Sequence, residues 1–231
     1  MEETMSDSEM VDRYREVRTS IASAATSAGR PVDSAKLIAV SKTHEFGKIR
    51  ELYRAGHRDF GENYVQELVA KATQARAEGL DGIHWHFIGH LQTNKVKTLL
   101  PWAGTIHGVS SFRLAEEIDK RASALPEKSA ARVPVLIEVN VDGQESKSGV
   151  RIAELRNLAE KIARLPNLEL RGLMAIPDPA RPDGARAAFR ELARLEAELR
   201  PLTHGELSMG MTSDFPDAVA EGATFVRVGT A

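Results

Sequence analysis

The sequence contains no cysteine, which excludes disulfides, thiolate metal sites and a cysteine nucleophile. Neither sign of charge is in excess: 31 Lys and Arg stand against 33 Asp and Glu, a formal net charge of −2. A general basic field that would favour nucleic acid or an anionic membrane is therefore missing, and any anion site has to be local. No run approaches the ~20 apolar residues of a membrane span. The opening Met1-Glu2-Glu3-Thr4 is acidic and polar, without an apolar h-region, so no signal peptide is evident and a cytoplasmic location is expected. No stretch rich in Pro, Gly or Ser divides the chain, and 231 residues with 42% hydrophobic content suit one large domain over 1–231.

What is present is an alternation. Residues 1–8 read as a disordered lead. Val11, Tyr14, Val17 and Ile21 then fall at helical spacing from about Glu9 to Ala28, and Gly29-Arg30-Pro31 ends the pattern. Strands are expected at Leu37–Val40, Asp59–Gly61, Ile83–Ile88, Thr105–Val109, Pro134–Val141, Leu168–Met174, around Leu207, and at Thr224–Val228. Helices are expected between them, at Glu45–Ala55, after Asn63, at Leu91–Leu100, from Ser110 or Ser111 to Ala124, around Ile152 to Ile162, around Phe189 to Leu199, and at Asp214–Glu221. Such alternation argues for a parallel sheet with crossover helices. Eight units at this length argue for the α/β class, as a single TIM-type (β/α)8 barrel with an additional N-terminal helix; a doubly wound open sheet is the alternative. The sequence stops just past the eighth strand, so either the leading helix covers that strand's outer face or the chain is cut short.

Candidate chemistry begins at Leu37-Ile38-Ala39-Val40-Ser41-Lys42. Continuous apolar runs suit buried parallel strands, which puts Lys42 at the mouth of a core. Partial burial there would lower its pKa from about 10.4 and free a nucleophilic amine for a Schiff base; the other reading is a plain surface lysine. Barrel enzymes carry function at the C-terminal ends of strands, often with a phosphate site after strands seven and eight. Ser208-Met209-Gly210-Met211-Thr212-Ser213-Asp214 and Gly229-Thr230 offer hydroxyls, glycines and backbone amides in those two places. Arg227, inside the last apolar strand, either faces a ligand at the mouth or forms an internal ion pair. His84, His86 and His90 show no acidic third ligand nearby, so packing with hydrogen bonds is a better account than metal. Lys147 lacks the Walker pattern around it and reads as part of a solvated turn.

Several blocks occur in one order: Ala39-Val40-Ser41-Lys42-Thr43, Phe60-Gly61-Glu62-Asn63-Tyr64-Val65-Gln66-Glu67, Trp85-His86-Phe87-Ile88-Gly89, Leu91-Gln92, Asn94-Lys95, Ser146-Lys147-Ser148-Gly149, Gly172-Leu173-Met174, Leu207 to Asp214, and Val226-Arg227-Val228-Gly229-Thr230. Through these blocks nearly the whole chain resembles the pyridoxal phosphate homeostasis proteins of the YggS/PROSC type. The resemblance implies a fold type III barrel like the N-terminal domain of alanine racemase, with pyridoxal 5′-phosphate (PLP) as cofactor. By that likeness Lys42 forms the internal aldimine, Ser208, Gly229 and Thr230 hold the phosphate, and Arg227 approaches the pyridine nitrogen. Asn63, His86 and Met209 are implied to line the pocket. Members of the family usually continue past Gly-Thr-Ala with Ile-Phe-Gly, and this sequence lacks that tail.

An arginine at the pyridine nitrogen disfavours its protonation and weakens carbanion chemistry. Racemisation needs a second base, and Tyr14, Tyr53 and Tyr64 are the only tyrosines. The expected function is thus reversible PLP holding and delivery, with apo PLP-dependent enzymes as acceptors, no nucleic acid or membrane partner, and a monomer or weak dimer. A PLP-dependent amino-acid racemase is the alternative, and a Schiff-base aldolase using Lys42 without cofactor is a third.

Overall fold

Alternate residues of the apolar runs face opposite sides of the sheet that they build, which produces two cores rather than one. The computed structural model describes residues 7–125, 132–144, 147–181 and 184–229. In chain order the elements are α1 (Asp7–Ser27), β1 (Lys36–Val40), α2 (Phe46–Arg54), β2 (Asp59–Glu62), α3 (Val65–Ala77), β3 (His84–Phe87), α4 (Val96–Leu99), β4 (Thr105–Val109) and α5 (Phe112–Ala122). They continue as β5 (Val133–Asn140), β6 (Val150–Arg151), α6 (Ile152–Ile162), β7 (Leu168–Met174), α7 (Gly184–Glu198), β8 (Glu206–Ser208), α8 (Phe215–Ala220) and β9 (Phe225–Val228).

The strands pair in parallel in the order β4-β3-β2-β1-β9-β8-β7-β5, and β4 also pairs with β5. The sheet is therefore closed, as a barrel of eight strands. The seam between first and last strands is in register from Lys36↔Phe225 to Ala39↔Val228. On β5, Val135, Ile137 and Val139 join the apolar cluster shared with the helices, whereas Leu136, Glu138 and Asn140 lie outside that cluster although all three are buried. This period of two gives a barrel interior and a separate layer between sheet and helices.

Helix α1 packs against α8 and α2, the helices that flank the β9–β1 seam. The leading helix thus covers the last strand, the first of the two possibilities the sequence left open. It starts at Asp7, so residues 7 and 8 are helical and not part of a lead. Gly29, at φ +69°, ends it, with the Arg30 amide bonded to the Ala25 carbonyl at 2.9 Å.

Two other expectations need correction. The stretch Leu91–Leu100 is not one helix: Gln92 is extended, Thr93–Lys95 is a 3-10 turn, and α4 follows with four residues. Thr93 and Asn94 are poor helix formers, and the 3-10 turn occupies their place. The two-residue β6 was not anticipated, because two residues carry no periodicity; it pairs Val139↔Val150 and Asn140↔Arg151 beyond the barrel.

Candidate functional site

The C-terminal ends of the strands form the mouth. Register fixes who meets there: Ile38 stands beside Arg227 and Ala39 beside Val228, so Val40 comes next to Gly229. A Cβ on Gly229 would lie 2.9 Å from the Val40 Cβ and 3.1 Å from its carbonyl oxygen, so only glycine lets these two backbones approach this closely. Lys42 follows two residues later with its side chain exposed. The His44 ring bonds to the Gly229 backbone, and burial first, then the charge of Lys48, push its pKa down.

Arg227 is 4% exposed. Its Nη1 donates to Ser208 Oγ at 2.7 Å and its Nη2 to the Ala175 carbonyl at 3.0 Å. Burial lowers the guanidinium pKa to about 10, against the opposing charges of Asp214 and Glu138. Glu138 sits in the same interior layer, since it pairs with Met174 and Met174 with Ser208. Burial raises its pKa, opposed by the charges of His90 and Arg227. Of the two roles left open for Arg227, the internal ion pair is not found among the described residues: the guanidinium is held by the Ser208 hydroxyl and the Ala175 carbonyl, with no direct carboxylate contact.

The implied residues do not all converge. Lys42, Ser208, Arg227 and Gly229 occupy the ends of β1, β8 and β9. Asn63 follows β2 and lines a recess of about 330 Å³ with Tyr64, His90 and Lys95; its Oδ1 is buried and has no hydrogen-bond partner among the described residues. Met209 is fully buried in the apolar layer between sheet and helices, because it follows the inward-facing Ser208 and so points outward. Thr230 lies outside the described residues. In the loop after β8, the Met211 amide is taken by Asp214 Oδ1 at 2.6 Å.

His86 lies towards the opposite, N-terminal end. Its Nε2 bonds to Asp59 Oδ1 at 3.0 Å and its Nδ1 to His107 Nε2 at 2.9 Å, and both rings pack on Phe225. An acidic residue therefore does neighbour the histidines, one that the sequence analysis did not see because Asp59 is 27 residues away. Nevertheless no group of three or more His, Asp or Glu among the described residues could hold a metal ion. His84 bonds to Thr105 Oγ1 at 2.8 Å. Lys147 is paired with Asp142 at 2.7 Å, beside an Arg181–Asp142 bridge of 2.9 Å, so it ties down its turn instead of being merely solvated.

Four further residues missed by sequence reasoning surround the backbone of Lys42: Ser41, Glu62, Glu67 and Lys71. Lys71 Nζ donates to the Ser41 carbonyl and to Glu62 Oε1, both at 2.7 Å, and to Glu67 Oε2 at 3.0 Å. The available signal was the Glu67–Lys71 pair at helical i,i+4 spacing directly after the strand beside β1. Burial raises the Glu62 pKa against its bonds to Lys71 and Ser41; in Glu67 burial is outweighed by bonds from the Thr43 amide and Lys71, and the pKa falls.

Residues 14–231 match the family described as alanine racemase, N-terminal domain. The chain is 42% identical over 226 residues to the pyridoxal phosphate homeostasis protein of Pseudomonas aeruginosa, covering 97% of this chain and 94% of that protein. It superposes with a TM-score of 0.76 and 38% identity on PipY of Synechococcus elongatus with PLP bound, covering 91% of this chain and 98% of PipY. Alanine racemase from Corynebacterium glutamicum shares the fold at a TM-score of 0.61 and 19% identity, over 92% of this chain and 58% of that one.

Proposed function

We propose, for a chain that belongs to the family of the pyridoxal phosphate homeostasis proteins and has the barrel of the alanine racemase N-terminal domain, that the mouth binds PLP reversibly through Lys42 and serves PLP homeostasis inside the cell. The observation that carries this reading is the convergence at the β1–β9 seam. An exposed amine stands two residues beyond Val40, against which Gly229 packs, and Arg227 reaches from β9 to Ser208 on β8. The donor set fits the group: an amine for an aldehyde, a hydroxyl and a close glycine backbone for a phosphate, and in Asn63 Oδ1 a buried acceptor lacking a donor. Lys42 would hold PLP through its amine, and the group, when bound, would supply an aldehyde for reversible condensation, with one water released on binding and taken up again on release.

In this reading Ser208, Gly229 and Thr230 hold the phosphate and Arg227 faces the pyridine nitrogen. A guanidinium that keeps its charge there disfavours a proton on the ring, which favours storage over carbanion chemistry. Asn63 lines the site. His86 and Met209, set back from the mouth, act on it only through the packing beneath. The chain acts as a monomer or weak dimer and passes PLP to apo enzymes that need it, without nucleic acid or membrane; no helix among the described residues is long and apolar enough to cross a membrane. The second reading, an amino-acid racemase, draws on Tyr64, which is 55% exposed beside Asn63 at the mouth and would serve as the second base.

The test is the absorption spectrum of the protein with PLP, before and after borohydride, beside Lys42→Ala. The expected result is a yellow band fixed by borohydride in the parent and absent in the variant. A colourless parent that takes up no PLP overturns the reading. Isomerisation of an amino acid by the parent, lost in Tyr64→Phe, would establish the racemase instead.

A further inference from the structure

Both peptide groups that flank Lys42 are held by one ionic cluster, in which Glu62 and Lys71 are buried and Glu67 is partly exposed. The Ser41 carbonyl, on one side, accepts from Lys71 Nζ at 2.7 Å. The Thr43 amide, on the other, donates to Glu67 Oε2 at 2.8 Å, and the same carboxylate oxygen accepts from Lys71. Glu62 completes the cluster by accepting from Lys71 and from the Ser41 hydroxyl, each at 2.7 Å. Three N–H groups of one ammonium thus meet three oxygens, and each acceptor is either part of the Lys42 segment or bonded to it.

That segment is strained. Thr43 has φ +63°, the single non-glycine residue with positive φ among those described. A β-branched residue there is a conformational outlier that persists only where its surroundings enforce it. The cluster is also an unpromising source of stability. Glu62 is fully buried and the Lys71 side chain is 10% exposed, and desolvating such charges offsets most of what their attraction returns. A costly ion pair that grips a strained turn on both sides of one lysine points to geometry.

We propose that Lys71, with Glu62 and Glu67, is a positioning device for Lys42. By clamping the peptide planes before and after it, the cluster keeps Thr43 in the left-handed region and directs the Lys42 stem across the mouth. The inference rests on the reading of Lys42 as the PLP-binding amine, and adds residues that do not touch the ligand.

The experiment compares the parent chain with Lys71→Met, Glu67→Ala and Glu67→Gln. The last keeps a side-chain oxygen able to accept from the Thr43 amide. The first readout is hydrogen exchange of the Thr43 amide in the PLP-free chain. It is expected to accelerate at least tenfold in Lys71→Met and Glu67→Ala and to stay near parental in Glu67→Gln, while Leu136 and Ile137 in β5 keep parental protection. The second readout is the rate at which added PLP becomes fixed to Lys42 by borohydride, located by peptide mass. It is expected to fall at least tenfold in the first two variants and to be restored in the third.

If the parent is fixed at Lys42 and all variants are fixed equally fast, or if the Thr43 amide is unaffected, the inference is overturned while the Lys42 reading stands. If the parent is fixed at another lysine, the Lys42 reading fails and the inference with it. Should Lys71→Met not fold, the Glu67 pair decides alone, since that side chain is 31% exposed.

Discussion

Arg227 and Lys42 illustrate opposite demands at the residue scale. The guanidinium is buried and its shorter hydrogen bond is to the Ser208 hydroxyl at 2.7 Å, so Ser208→Ala leaves Nη1 unpaired while Nη2 keeps the Ala175 carbonyl. The expected cost is about 1–3 kcal/mol, read as a lower urea midpoint with an unchanged slope. Lys42, by contrast, is exposed and makes no packing contribution to the core. Lys42→Ala is expected to change the stability of the PLP-free chain by no more than about 0.5 kcal/mol while abolishing borohydride fixation. Unfolding curves beside the spectra separate a lost fold from a lost amine.

At the scale of single elements, the strand pairs depend on places where only a hydrogen atom fits. Gly172 on β7 stands opposite Glu206 on β8, and a Cβ there would lie 1.8 Å from the Glu206 carbonyl oxygen. Backbone cannot yield as a side chain can, so Gly172→Ala is expected to cost more than about 3 kcal/mol, in line with overpacking of a tight core, or to leave the chain insoluble. A milder test concerns α5, whose Ser111 hydroxyl accepts from the Leu114 amide at 3.3 Å. Ser111→Ala should lower stability by about 1 kcal/mol, measured by the same denaturation, because the helix keeps its buried face of Leu114, Ala115 and Ile118.

For the whole molecule, the lower half of the barrel makes stability depend on pH. Burial pushes His57, His84 and His107 below the ordinary histidine value, His84 to about 4. The unfolded chain takes up a proton at His84 near pH 6.5 and the folded chain only near 4, so between these values the unfolded state binds more protons. The contribution is fully present above about pH 6.5 and is lost as the pH falls towards 4. Glu62 and Glu138, whose values are raised, act in the opposite sense above their ordinary range. Replacing His84 by Gln should therefore flatten the profile. Between pH 7 and 4.5 the parent is expected to lose about 2 kcal/mol more than the variant, as followed by urea denaturation at each pH.

The sequence by itself determined the alternation of elements, because periods of 2 and 3.6 are local properties of the chain. Eight barrel strands, the covering role available to the leading helix, and the position of Lys42 after the first strand were all legible in that pattern. The closeness of Gly229 to Val40, the bonding of Arg227 to Ser208, and the division of His86 from Lys42 between opposite ends of the barrel were not. Each depends on strand register and side-chain direction across a closed sheet, and a one-residue change of register reverses the face that a side chain takes. Met209 shows the consequence: it is adjacent to Ser208 in sequence, yet the alternation that turns Ser208 inward sends Met209 to the helix layer. The clamp of Glu62, Glu67 and Lys71 was equally hidden, for it joins the end of one strand to the flank of the next helix. Only closure of β1 against β2 brought those charges to the backbone of Lys42.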